Sequence, residues 1–179
     1  HDALLAAARM IEAVSTVAVS HAPSAVGTVG LIENRPNSNN VVPGEVFFTI
    51  DMRDPDDAVV AQMEEELYSL LPEIAQRSGV TLEIVRIWDA PAVHFDPACV
   101  DMVETAAADS GYGARRIVSG PGHDAAYMAR VTPTAMIFVP CADGLSHNEA
   151  ESITEQDAEA GAGILLKTVL KADAVFNAR

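Results

Sequence analysis

The sequence predicts a mixed fold: α+β in its first half and α/β in its second. Two observations predict it. Up to about residue 90, strand-period apolar runs accompany two long helical patterns, which suits one strand layer with two helices on one face, close to a ferredoxin-like arrangement. After Asp89-Ala-Pro-Ala92 the pattern changes to alternating helix and strand, read as two βα-type units.

The first helix runs from Asp2 to about Ala18, with Leu4, Ala8, Ile11, Val14 and Ala18 at helical spacing. His21-Ala-Pro-Ser-Ala25 breaks it. Val26 to Glu33 reads as a strand, and Asn34 to Gly44 is dense in turn formers. Glu45 to Arg53 is a strong strand. Strand side chains alternate, so Val46, Phe48, Ile50 and Met52 share one face while Phe47, Thr49, Asp51 and Arg53 share the other. Asp54 and Pro55 suit the N-cap and first position of the next helix. Its stripe is Val60, Met63, Leu67, Leu70 and Ile74, and Gly79 stops it. Thr81 to Trp88 is a further strand. A ferredoxin-like layer needs one more strand ahead of the first helix, consistent with a truncated start.

In the second half, Asp96-Pro97 caps a helix with stripe Val100, Val103 and Ala107, ending at Gly111. A short strand, Ala114 to Val118, leads into the tight loop Ser119-Gly-Pro-Gly-His-Asp124 and a helix from about Ala125 to Arg130. Thr134 to Val139 reads as a buried strand, followed by a polar loop ending in Ser146-His-Asn-Glu149. Thr154 caps the last helix, which carries Ala158, Ala162, Leu165, Val169 and Phe176.

Acidic residues outnumber basic ones 26 to 11, a net charge of −15, with no Lys/Arg cluster. Such a field repels phosphate backbones and anionic membranes, so neither nucleic acid nor membrane is an expected partner. No apolar run is read as approaching a membrane span, and no signal peptide is visible. The chain lacks an initiator Met and opens directly into a helical pattern, which reads as a fragment or processed chain. Its two cysteines, Cys99 and Cys141, form no disulfide framework and suit a cytoplasmic setting.

Two loops carry candidate chemistry. If the two strands are parallel neighbours, His123 and His147 fall on one sheet edge, past the strand ends where α/β folds place their sites. With Asp124 and Glu149 they suit metal-assisted hydrolysis, although a catalytic zinc takes about three protein ligands. A Ser119 or Ser146 triad lacks the G-x-S-x-G elbow, and a Cys141 nucleophile lacks any signature. Gly120 and Gly122 allow close backbone approach by a ligand, and the helix start that follows favours an anion. Arg53 suits bidentate carboxylate binding, with a cross-strand ion pair on the same face as the plainer alternative. Asn40 can donate to a carbonyl.

Five stretches occur in order: Thr28-Val-Gly30, Pro36-Asn-Ser-Asn-Asn-Val-Val-Pro-Gly44, Phe48-Thr-Ile-Asp-Met-Arg53, Ser119-Gly-Pro-Gly-His-Asp-Ala125 and Met136 to Glu149. Together they resemble the zinc amidohydrolases that include N-carbamoyl-L-amino-acid hydrolase, allantoate amidohydrolase and β-ureidopropionase, within the aminoacylase and carboxypeptidase-like metallopeptidase clan. The resemblance covers nearly the whole chain. It implies an incomplete lid and dimerisation domain over residues 1–90, followed by the carboxyl-terminal part of a catalytic domain over 91–179. It implies two zinc or manganese ions per complete site, with His147 as one metal ligand. Asn40, Arg53, Gly120, Gly122 and His123 would bind substrate, Arg53 through its carboxylate, with Asn40 and Arg53 reaching the site on lid closure. A small ureido or amide substrate and a homodimer through the lid are the implied partners. The family's other metal ligands, its catalytic acidic residue and a lid histidine would lie upstream of His1, so no catalytic residue is assigned here and the chain alone is expected to be inactive. A non-catalytic dimerisation module and an aminoacylase or dipeptidase of the same clan are the competing readings.

Overall fold

In the structure, a computed structural model that describes residues 1–177, the chain divides into two units, His1–Ala92 and Val93–Arg179. In the first unit, helix α1 (Ala3–Ser20) opens on Asp2, whose Oδ1 accepts from Leu5 N at 3.0 Å. Its buried stripe is Ala6, Ala7, Met10, Val14, Val17 and Ala18. Val14 and Ala18 match the predicted stripe, but Leu4 and Ala8 are exposed. Most residues from Ala3 to Val19 are apolar, so periodicity leaves the buried face open and packing against α2 decides it. For the same reason α1 is, by length and composition, apolar enough to cross a membrane, contrary to the expectation that no run comes near a span. A core helix passes the same test, and α1 supplies four of the nine buried residues of this unit's core cluster.

Helix α2 (Asp57–Ser78) starts later than predicted. Asp54 does not cap it. Its Oδ1 accepts from Asp56 N at 2.8 Å in a local turn, and Asp56 is the cap, accepting from Ala58 N at 2.9 Å. Gly79 ends the helix as predicted, with φ +70°, the left-handed conformation glycine adopts without penalty. The buried stripe is Met63, Leu67, Leu71, Ile74 and Ala75, with Leu71 in place of the predicted Leu70. Met63 is wholly buried among these residues and those of α1, and its truncation to Ala costs about 2–5 kcal/mol.

The two predicted strands form one hairpin interrupted by a bulge. β1 (Val26–Thr28) pairs antiparallel with β4 (Asp51–Arg53), Thr28 opposite Asp51. β2 (Ile32–Arg35) pairs with β3 (Glu45–Phe48), Ile32 opposite Phe48. Residues 29, 30 and 31 therefore stand opposite only 49 and 50. The extra residue breaks each long strand in two and adds twist, while Thr49 N still donates to Leu31 O at 3.2 Å. The predicted alternation holds except at Thr49, which is half-buried beside the bulge. Phe48, Ile50 and Met52 pack on the core, whereas Phe47, Asp51 and Arg53 are exposed.

Thr81 to Trp88 is not a strand. Val80 and Leu82 pack on the core and Arg86 pairs with Glu64 and Asp89, but Ile84, Val85, Ile87 and Trp88 are exposed. The apolar residues suit a strand, yet strands exist only with a hydrogen-bonded neighbour, and neither ladder includes this segment. Among the described residues the first unit is thus two helices on a bulged hairpin.

In the second unit, α3 (Pro97–Ala108) starts as predicted, with Asp96 Oδ1 accepting from Cys99 N at 3.0 Å. After the short α4 (Ala125–Met128), α5 (Glu155–Phe176) starts at Thr154, whose hydroxyl accepts from Asp157 N at 3.1 Å. Ala106 and Ala107 of α3 meet Ile164 of α5, with Val103 and Ile137 beside them. Lys167 and Lys171 of α5 reach Ser110 and Asp109 at the end of α3, each at 2.7 Å. This docking turns α5 away from its predicted stripe, so Leu165, Val169 and Phe176 are exposed. Neither predicted strand forms a ladder here. Ile117 and Val118 are exposed, and residues 134–137 are half-buried. Asp96 N donates to Thr134 O at 3.1 Å, and Val139 lies against Gly161 of α5.

Candidate substrate and metal residues

Arg53 owes its position to its neighbours in β4. Met52 points into the core and opposes Gly27, and a β-carbon at Gly27 would meet Ala18 at 2.9 Å, so β1 lies close on α1. Alternation then turns Asp51 and Arg53 outward together. Arg53 Nε donates to Asp51 Oδ1 and Nη2 to Asp51 Oδ2, each at 2.7 Å. These two hydrogen bonds hold the Asp51 carboxyl below its ordinary range and raise the Arg53 guanidinium further, burial opposing both. Asn40 sits in the turn-rich loop that Gly44 N closes on Arg35 O at 2.9 Å. Ser38 Oγ donates to Asn40 Oδ1 at 3.2 Å, which engages the amide oxygen and leaves the amide N–H groups as the donors Asn40 can offer a carbonyl.

The remaining candidates belong to the second unit. In the 119–124 loop, Ser119 Oγ donates to Pro121 O at 3.1 Å, so its hydroxyl is engaged locally rather than by a histidine. His123 Nδ1 accepts from Ala125 N at 3.0 Å, which in the neutral ring places the proton on Nε2. A β-carbon at Gly120 or Gly122 would meet nothing within 4 Å, so neither position needs glycine to avoid a clash. The expected anion preference of the following helix start is weak, because α4 has only four residues whose dipoles could align.

His147 has a left-handed backbone, φ 56°, after Asp143 and Gly144 at 55° and 69°. The loop is closed by Ala142 N donating to Ser152 O at 2.8 Å. Glu151 Oε2 accepts from His147 N at 2.8 Å, and Asn148 Oδ1 accepts from Ala150 N at 2.9 Å. Glu151, to which no sequence motif points, is thus the carboxylate that braces His147. Glu149, its expected companion, makes no hydrogen bond to it. The only advance signal for Glu151 is its spacing, four residues past His147.

No ladder joins the segments before the two histidine loops, so the expected common sheet edge for His123 and His147 is not formed among the described residues. Nor do any three His, Cys, Asp or Glu side chains among them gather to hold a metal ion. His147 with its own neighbours is therefore not a complete metal site.

Residues 3–171 match the profile of Peptidase family M20/M25/M40. An N-carbamoyl-L-amino-acid amidohydrolase from Rhizobium meliloti is 46% identical over 170 residues, 95% of this chain and 41% of that protein. An allantoate deiminase from Arabidopsis thaliana is 36% identical over 155 residues, 82% of this chain and 30% of that protein. Among solved structures, an amidase of the hydantoinase/carbamoylase family from Burkholderia multivorans superposes with a TM-score of 0.89 at 50% identity, covering 95% of this chain and 41% of that one. The chain spans about two fifths of the length of the Rhizobium and Burkholderia proteins. With a family match over nearly all of its residues, the chain belongs to the peptidase family M20/M25/M40.

Proposed function

We propose that these residues are the carboxyl-terminal part of a metal-dependent amidohydrolase that cleaves a non-peptide C–N bond of an N-carbamoyl-L-amino acid or an allantoate-type ureido substrate. The observation that carries this reading is the 46% identity, across 95% of the chain, to an N-carbamoyl-L-amino-acid amidohydrolase. Arg53 supports it, because a planar guanidinium on an exposed strand face suits the carboxylate such substrates carry. In this reading Arg53 binds that carboxylate and Asn40 donates to a substrate carbonyl. Gly120, Gly122 and His123 form a backbone wall for the substrate, and His147 is one metal ligand. Its partner ligands come from outside these residues. A bound zinc or manganese ion supplies Lewis-acid activation of water in such enzymes. The first unit serves as a lid and dimer contact.

The test is hydrolysis of N-carbamoyl-L-amino acids by the enzyme completed with its own flanking sequence or with that of the Rhizobium meliloti relative. The expected result is metal-dependent release of the free amino acid, ammonia and carbon dioxide, with little turnover by the 179 residues alone. A folded, metal-loaded enzyme inert toward carbamoyl and ureido substrates overturns the reading, as does enzyme-like turnover by the 179 residues alone.

A further inference from the structure

We propose that Asp51 is a positioning residue that holds the Arg53 guanidinium ready for a substrate carboxylate, an inference that rests on the function proposed above. Three observations carry it. Asp51 and Arg53 are alternate residues of β4 and so share its outward face. Both oxygens of Asp51 are engaged, by Nε and Nη2 of Arg53 at 2.7 Å each, so the pair is bidentate along one edge of the guanidinium. And both side chains are about half exposed, 49% for Arg53 and 51% for Asp51, which gives a ligand access to the pair.

Geometry and magnitudes decide what such a pair does. A guanidinium has five N–H donors in a rigid plane, and the contact with Asp51 uses two of them. The carboxylate grips the side edge and so restrains the plane and direction of the group. An exposed arginine otherwise samples many rotamers, worth about 2 kcal/mol of entropy. Fixing one side chain before binding spares roughly 0.5–1.5 kcal/mol of that cost. Against this, Asp51 repels an incoming carboxylate. At a half-exposed site that repulsion acts through high dielectric and is screened by salt, which brings it down toward the size of the gain from pre-organisation.

β4 makes the arrangement rigid. Thr28 opposes Asp51 and Val26 opposes Arg53 in the ladder, and Met52 between them is packed on the core. The strand cannot rotate to part the two side chains without withdrawing Met52.

The test compares KM and kcat for an N-carbamoyl-L-amino acid and for its carboxamide analogue in the completed enzyme. Asp51→Ala is expected to raise KM for the carboxylate substrate about two- to tenfold, with kcat and the KM of the carboxamide unchanged. Asp51→Glu restores part of the loss. Asp51→Asn, which keeps the shape but offers only one acceptor oxygen, falls between, and it replaces Asp51→Ala should the latter not fold. A carboxylate KM that is unchanged or lower in both Asp51→Ala and Asp51→Asn, while Arg53→Ala raises it selectively, overturns the role of Asp51 and leaves the role of Arg53 standing. If Arg53→Ala does not distinguish carboxylate from carboxamide, the substrate reading itself fails, and the proposal fails with it.

Discussion

Gly27 of β1 lies so close to Ala18 of α1 that a β-carbon on the glycine would stand 2.9 Å from the alanine's. Both atoms would be fixed directly to backbone, so no side-chain rotation relieves the clash. Gly27→Ala must push β1 off α1, and with it β4, which carries Asp51 and Arg53. The expected cost is about 1–3 kcal/mol, the usual price of overpacking a core, read as a lower urea midpoint for the first unit. Gly44→Ala is the control. Nothing lies within 4 Å of a β-carbon there, and its change should stay within about 0.5 kcal/mol. Equal stability of the two variants would show that the helix–strand contact yields freely.

In the second unit Gly161 makes a similar contact. A β-carbon at Gly161 of α5 would meet Val139 Cγ1 at 2.6 Å. Alanine in place of a mid-helix glycine gains about 1 kcal/mol of helix propensity, but valine is stiff at χ1 and cannot turn aside cheaply. Gly161→Ala alone is therefore expected to be neutral or destabilising. Combined with Val139→Ala it should recover the helix gain, giving a favourable coupling energy of about 1–2 kcal/mol in a double-mutant cycle. Strictly additive effects would mean that α5 and the 134–139 segment do not press on each other.

The helices were legible because their signals are local. Asp96 and Thr154 cap the helices that the sequence assigns to them, and Gly79 takes the left-handed conformation expected after α2. Asp54 misled because Asp54 and Asp56 compete for the same role two residues apart, and the choice rests on a turn hydrogen bond. The strands were legible only in part. Alternation correctly put Asp51 and Arg53 on one face, but the bulge between 29–31 and 49–50 depends on register between distant segments, which alternation does not encode. Residues 81–88, 114–118 and 134–139 have apolar residues suited to strands but no ladder, since pairing is a property of neighbours rather than of the segment. Glu151 went unseen because its hydrogen bond to His147 N depends on the left-handed backbone at His147, unusual for a residue with a β-carbon.

Acid titration offers a check on the Asp51–Arg53 pair. The folded carboxyl lies below its ordinary value because Arg53 donates two hydrogen bonds to it. A group depressed on folding adds stability above its unfolded pKa, about 3.9 for an aspartate, and that stability is lost as pH falls through the folded value. With both side chains about half exposed, the contribution should stay below about 1 kcal/mol. Wild type is thus expected to exceed Asp51→Asn slightly in urea unfolding near neutral pH. The gap should close on acidification below about pH 4 and narrow in high salt. A gap that survives full protonation would locate the effect in packing rather than charge.

His147 allows backbone and side-chain roles to be separated. Its φ of 56° is a left-handed conformation that costs a residue with a β-carbon roughly 1–2 kcal/mol and costs glycine almost nothing. Glu151 and the closing Ala142–Ser152 hydrogen bond hold the loop in this state, and a strained residue maintained in this way is a recurrent mark of a functional position. His147→Gly is therefore expected to leave the metal-free protein as stable as wild type, or up to about 1 kcal/mol more so. His147→Ala keeps the strain and should show no such gain. If the imidazole is a metal ligand, both variants should lower the metal content of the completed enzyme, measured by mass spectrometry after gel filtration. Stability must be compared with metal stripped, because a bound ion stabilises the folded state by mass action. Retained metal in His147→Gly would remove the ligand role. A loss of stability in the metal-free glycine variant would instead show that the ring serves the loop.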